Sequence, residues 1–136
     1  MTSQIIYKGE LRTIATHLQS GTSIETDAPT DNQGKGERFS PTDLVATALS
    51  ACMVTTMAIK ARTLNIDLDV TRVDTTKIML IDPRRIGKII AHVYFPPTLQ
   101  LDDKTKDLLE RTARTCPVER SLHPEMELDM AFYWHS

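Results

Sequence analysis

The chain has 136 residues, of which 40% are hydrophobic and 25% charged, with a formal net charge of −2; this fits one soluble globular domain able to bury a core. The charge balance, with no basic stripe, excludes an electrostatic nucleic-acid binder. No unbroken apolar run reaches the roughly 18 residues of a membrane span, and the start Met1-Thr2-Ser3-Gln4 lacks the charged-then-apolar form of a signal peptide. A cytoplasmic protein without a membrane partner is the expectation. In that compartment two cysteines are more often free, catalytic or redox-active than bridged.

Residues 4–7 and 11–18 read as two strands around a turn at Gly9, and residues 22–26 as a third strand after a turn at Gly21. An antiparallel meander is the simplest arrangement. Arg12 lies on the second strand, where a solvated edge arginine is the plain reading. Residues 28–38 form a loop holding Pro29, Asp31, Asn32, Gly34 and Gly36. Gly34-Lys35-Gly36 lacks the spacing of a Walker A phosphate loop, and no strand runs directly into it, so it reads as a flexible connector.

The stretch after that loop organises the chain. Ser40 suits an N-cap and Pro41 the first helical position. Asp43, three residues after Ser40, approximates a capping box and suits the positive end of the helix dipole. No Gly or Pro follows until well past Arg62, so a helix over 41–62, about 33 Å long, is expected. Leu44, Val45, Ala48, Leu49, Cys52 and Met53 recur at helical spacing, while Val54, Met57, Ala58 and Ile59 widen the apolar surface. Such a helix is expected to be buried on most sides. One small sheet cannot cover that surface, and the same helix of a second copy would supply the rest.

Beyond the helix, Ile66, Leu68, Val70, Val73, Ile78 and Leu80 suggest extended structure. Asp82-Pro83-Arg84-Arg85 reads as a turn. Ile89, Ala91, Val93 and Phe95 then alternate with Lys88, Ile90, His92 and Tyr94, giving a hairpin that Pro96-Pro97 ends. Residues 101–113 form a short amphipathic helix with an acidic first turn and Arg111 and Arg114 near its end. Pro117 begins a last short helix, which His123-Pro124 stops. Met126, Leu128, Met130, Phe132 and Trp134 then alternate with their neighbours as a half-buried strand over 125–135.

A cysteine on an apolar helix, like Cys52, is usually a small core residue. Cys116 precedes a helix start, and a helix N-terminus lowers a thiol pKa. The sequence leaves open whether the two thiols meet. No Cys-x-x-Cys and no His pair at i, i+4 is present, so no metal is expected. A Cys–His hydrolase using His123 or His92 as base needs an orienting third residue that nothing marks. Asp43 reads as a helix-capping carboxylate, or as a group that holds an arginine beside a thiolate.

The run Ser-Pro-Thr-Asp-Leu-Val-Ala-Thr-Ala-Leu-Ser-Ala-Cys-Met from Ser40, and Thr-Cys-Pro-Val from Thr115, resemble the two signatures of the OsmC/Ohr family. The resemblance covers nearly the whole chain and implies a single α+β domain over residues 1–136, with antiparallel sheets wrapped around long central helices in an intertwined homodimer. Active sites would lie at the subunit interface. The implied activity is cysteine-based reduction of organic hydroperoxides, with Cys52 as the peroxidatic thiol and Cys116 as the resolving one. The implied reductant is an external dithiol or a lipoylated protein, and no cofactor is implied.

The family also supplies an arginine to the first thiol. Arg12 matches it by lying on an early strand and Arg38 by standing just before the helix; Arg12 is favoured. Hydroperoxide-reducing members usually carry glutamate directly after the helix-start proline. Here Thr42 occupies that place, and Asp43 stands one residue later, rotated by about 100° on a helix. That departure favours an alternative: a non-catalytic module binding an apolar small ligand at the dimer interface.

Overall fold

Three strands form where the sequence alternates: β1 (Ser3–Gly9), β2 (Arg12–His17) and β3 (Ser23–Asp27). They pair antiparallel in the order β1-β2-β3, as the two turns predict. The β2/β3 register sets Arg12 opposite Asp27 and Thr16 opposite Ser23. The computed structural model describes residues 1–135, grouped into two compact units, Met1–Val45 and the part from Ala46 onward.

The loop after β3 differs from the flexible connector its composition suggests. Asp27 N–H donates to Phe39 O at 3.1 Å, Ala28 N–H to Leu11 O at 3.0 Å and Gly34 N–H to Pro29 O at 2.9 Å. A Cβ at Gly34 would lie 1.7 Å from Ala28 O, so only glycine permits this approach. Backbone hydrogen bonds therefore fold the loop back on the end of β3. In this first unit Ile5, Ile6, Tyr7, Leu18 and Ile24 are exposed; its buried residues are Thr26, Asp27 and Ser40.

Helix α1 spans Pro41–Thr63. Its expected capping box closes: Ser40 N–H donates to Asp43 Oδ2 at 2.9 Å, and Asp43 N–H donates to Ser40 Oγ at 3.1 Å. The other end is a Schellman motif. Asn65 takes a left-handed φ of 57°, Asn65 N–H donates to Arg62 O and Ile66 N–H to Ala61 O.

Along α1, Ala46, Leu49, Met53, Met57 and Ala61 form one buried stripe. They join a core with Ile89, Ala91, Val93, Phe95, Leu109, Ala113 and Cys116. Burying each large side chain there contributes roughly 1.5–3 kcal/mol. Ser50 Oγ and Thr75 Oγ1, 2.5 Å apart, tie the helix to a strand of the second unit. Burial on most sides is not what the single chain gives: Ala48, Ala51, Ala58 and Ile59 are exposed. By length and composition α1 also meets the test for a membrane span. Counting only unbroken apolar runs missed this, because Thr47, Ser50, Thr55 and Thr56 interrupt the run while hardly lowering its hydropathy. A core helix passes the same test, and the Leu49–Met53–Met57 stripe is fully buried.

Strands β4 (Arg72–Leu80), β5 (Arg85–Tyr94) and β6 (Glu127–Tyr133) form the second sheet, in that order. β4 and β5 are the expected hairpin. Residues 66–71 are not strand, because Val70 takes a φ of 63° and interrupts any extended run. β6 pairs parallel to β5, from Lys88 opposite Glu127 to Tyr94 opposite Tyr133. This sheet is thus mixed, against the expectation of antiparallel pairing throughout. Residues 95–126 make the crossover that parallel pairing requires. They carry α2 (Asp103–Ala113) and α3 (Pro117–Ser121).

Candidate functional site

Cys52 lies midway along α1, at the edge of the buried stripe, and is half-buried. Its Sγ is 4.0 Å from Thr56 Oγ1, one turn further on. Cys116 is placed by the junction between α2 and α3. The α2 helix ends as Arg114 N–H and Thr115 N–H turn back to Arg111 O and Thr112 O. Cys116 is then extended (φ −67°, ψ 143°), and Pro117 opens α3. The Cys116 sulfur serves as the N-cap acceptor, taking Glu119 N–H at 3.4 Å.

The folded chain brings these two thiols together. The Cys52 side chain lies near enough to the fully buried Cys116 thiol to act on its ionisation. Both cysteines are free. Burial pushes the Cys116 thiol above its ordinary value. The Glu119 N–H opposes this, while the Cys52 thiol and the Glu119 carboxylate add to it. The expectation that a helix start lowers this thiol is therefore overturned. α3 has five residues, and one donated N–H does not offset the loss of water.

Glu119 was not singled out from the sequence. It stands three residues after the capping Cys116, the spacing of a capping box, and that was the available signal. Its Oε2 is buried and, among the described residues, accepts no hydrogen bond. Burial pushes the Glu119 carboxyl above the ordinary range, opposed by Arg114 and Arg120.

A second constellation lies within the first unit. Arg12 donates from Nε to Asp27 Oδ1 at 2.7 Å and from Nη2 to Asp27 Oδ2 at 2.8 Å. Its Nη2 also reaches Glu37 Oε1 at 3.2 Å. Asp27 is 1% exposed and further accepts Glu37 N–H at 3.1 Å. The Arg12 hydrogen bonds hold the Asp27 carboxyl below the usual range against its burial, and Asp27 in turn holds the Arg12 guanidinium well above its ordinary value. Arg12 is thus a braced guanidinium rather than a solvated edge arginine. Asp27 and Glu37 went unnoticed in the sequence. A hairpin turn ending at Gly21 pairs residue 12 with 27 once the register is counted out, so Asp27 had a signal; Glu37, in a loop, had none.

Arg38 donates from Nε to Glu25 Oε1 at 3.3 Å and from Nη1 to Glu37 O at 3.0 Å. Asp43 closes the capping box of α1. His92 packs edge-on against the Tyr133 ring, and His123 Nδ1 accepts Glu125 N–H at 3.1 Å. Among the described residues no group of three or more His, Cys, Asp or Glu is arranged to hold a metal.

The family model described as OsmC-like protein matches residues 34–131. No curated protein matches. A crystal structure from Psychrobacter arcticus, named for an osmotic stress induced and detoxification response protein, is 49% identical, covers 98% of this chain and 96% of its own, and has a TM-score of 0.93. The organic hydroperoxide resistance protein OsmC of Legionella pneumophila is 14% identical over 97% of this chain and 96% of its own, at a TM-score of 0.74. The organic hydroperoxide resistance protein OhrB of Bacillus subtilis is 17% identical over 98% of each chain, at a TM-score of 0.67.

Proposed function

From the premise that this chain belongs to the OsmC-like protein family, we propose that it is a two-thiol peroxidase for organic hydroperoxides. The observation that carries the reading is the approach of the Cys52 side chain to the buried Cys116 thiol, near enough to help raise it. The half-buried Cys52 is the thiol a substrate can reach, and the fully buried Cys116 is the one it cannot.

In the first step the Cys52 thiolate attacks the distal peroxide oxygen. The O–O bond breaks, the alkoxide leaves and takes up a proton as alcohol, and Cys52 becomes a sulfenic acid. Cys116 then attacks that sulfur; a disulfide forms and water is released. Two electrons from an external dithiol or a lipoylated protein return both thiols by exchange. We assign to Arg12 the stabilisation of the thiolate and the departing oxygen. The support is chemical: Asp27 and Glu37 fix a planar guanidinium in one orientation, the form suited to an oxyanion. Asp43 enters through the helix start that it caps. A direct part for its carboxylate predicts that Asp43→Asn slows peroxide reduction more than it lowers stability.

A homodimer belongs to the same proposal. Ile5, Ile6, Tyr7 and Ile24 of the first sheet and Ile59 of α1 are exposed in the single chain, and a second copy would cover such surface. Sedimentation at micromolar concentration should give about twice the chain mass of 15.3 kDa. A stable monomer would contradict it.

The activity is tested by thiol titration before and after one equivalent of an alkyl hydroperoxide. Loss of both thiols supports the peroxidase. Retention of both supports the other reading, a module binding an apolar small ligand, which the capping contact of Asp43 and the presence of Thr42 at the family's glutamate position favour.

A further inference from the structure

We propose that Glu119 is the proton acceptor for Cys116 when that thiol closes the disulfide with oxidised Cys52. The inference rests on the two-thiol reading above and adds a residue to it. Cys116 is fully buried, so bulk water does not reach its thiol. A thiol must lose its proton to act as a nucleophile. Two titratable groups act on it, Cys52 and Glu119. Once Cys52 is a sulfenic acid it is the electrophile, which leaves the Glu119 carboxylate.

Glu119 is suited to the task on three counts. Its own N–H already holds the Cys116 sulfur at 3.4 Å. Its Oε2 is buried with no hydrogen-bond donor among the described residues, so a lone pair is available. Burial raises its carboxyl toward the thiol, which makes the carboxylate a stronger base. The charged groups that face it are Arg114 at the end of α2 and Arg120 within α3, and Cys52 of α1 reaches it through Cys116. The two arginines oppose the burial that raises this carboxyl.

The step balances. Glu119 takes the Cys116 proton, and the sulfur attacks the Cys52 sulfur. The S–O bond breaks, and the departing hydroxide receives the proton from Glu119 as water. Cys52 falls from the sulfenic to the disulfide level, and Cys116 is oxidised to meet it.

The test is single-turnover closure. Reduced protein is mixed with one equivalent of cumene hydroperoxide and quenched at intervals with a thiol alkylator and a sulfenic-acid trap, and intact masses are read. Glu119→Gln should form the Cys52 sulfenic acid at the wild-type rate and close the disulfide about tenfold or more slowly. Glu119→Asp should recover part of the closure. In wild type the closure rate should rise with the ionisation of one carboxyl and level off below the thiol range. In Glu119→Gln it should keep rising into the thiol range. The wild-type profile needs no variant to fold. A wild-type closure rate that follows thiol ionisation alone, or a Glu119→Gln closure rate equal to wild type, overturns the proposal and sends the proton directly to the leaving oxygen. If wild type forms neither sulfenic acid nor disulfide, the peroxidase reading falls and takes this inference with it.

Discussion

Asp27 grips the Arg12 guanidinium with both carboxylate oxygens, at 2.7 and 2.8 Å, from a position that is 1% exposed. A fork of this kind fixes orientation as well as charge, and a lysine cannot reproduce it. Arg12→Lys and Asp27→Asn should each lower kcat/KM for an alkyl hydroperoxide on the order of tenfold or more, the effect of losing one charge-assisted hydrogen bond. The same pair sets an acid limit. Because the folded Asp27 carboxyl is held low, its contribution to stability is present above the ordinary value of about 3.9 and is lost as pH falls through the lower folded value. The urea midpoint should therefore drop more steeply from about pH 5 to about pH 2 in wild type than in Asp27→Asn. Parallel slopes would remove the pair from the acid response.

The two cysteines should fail differently when changed singly. Cys52→Ser should consume no hydroperoxide, since a hydroxyl at its normal pKa is a poor nucleophile. Cys116→Ser should turn over once and stop as a sulfenic acid, open to further oxidation. After one equivalent of hydroperoxide, intact mass should fall by about two units in wild type and rise by about sixteen in Cys116→Ser, as a disulfide and one added oxygen require. Wild-type behaviour in both variants would return the chain to the binding-module reading.

Alkali should act through Cys116. Its folded thiol is raised, so its contribution to stability is complete below the unfolded thiol value of about 8.5 and disappears as pH climbs through the higher folded value. The urea midpoint of wild type should decline above about pH 8.5, and that decline should be smaller in Cys116→Ala. Alkylation by iodoacetamide near neutral pH should label Cys52 well before Cys116. Equal labelling of the two would contradict the burial of Cys116.

Helix α1 depends on its first turn. Ser40→Ala removes the acceptor for Asp43 N–H and should cost about 1 kcal/mol in urea unfolding. Ser40→Asp, which restores an acceptor, should recover much of it. No change in either variant would show that other contacts anchor the helix start.

The parts legible in the sequence are those whose physics is local. The Ser40–Asp43 box and the alternation of Ile89, Ala91 and Val93 each depend on neighbours a few residues away, and all three aliphatic side chains of that alternation are buried. Residues 66–71 misled because Ile66, Leu68 and Val70 carry strand-like side chains on a backbone that the end of α1 has already turned. A single left-handed φ at Val70 cancels the pattern. The parallel partner of β5 was hidden because only tertiary packing chooses it. Cys52, Cys116 and Arg12 could be named as candidates, while the groups that act on each could not. Asp27 needs a register and Glu119 needs burial, and neither quantity is a property of a residue type.

The crossover between β5 and β6 carries a consequence for assembly of the chain. Cys52 is on a helix, and the hairpin after it closes through contacts near in sequence. Cys116 lies within residues 95–126, held between a strand already paired and one still to come. Loop-closure entropy must be met before that parallel pairing forms, which makes it intrinsically slow. On a ribosome, Cys52 therefore emerges long before β6 can dock and bury its partner. Under the proposed two-thiol mechanism, the chain until then carries an attacking thiol with nothing beside it to resolve its oxidation. Newly made molecules, rather than mature ones, are where irreversible oxidation of Cys52 would concentrate.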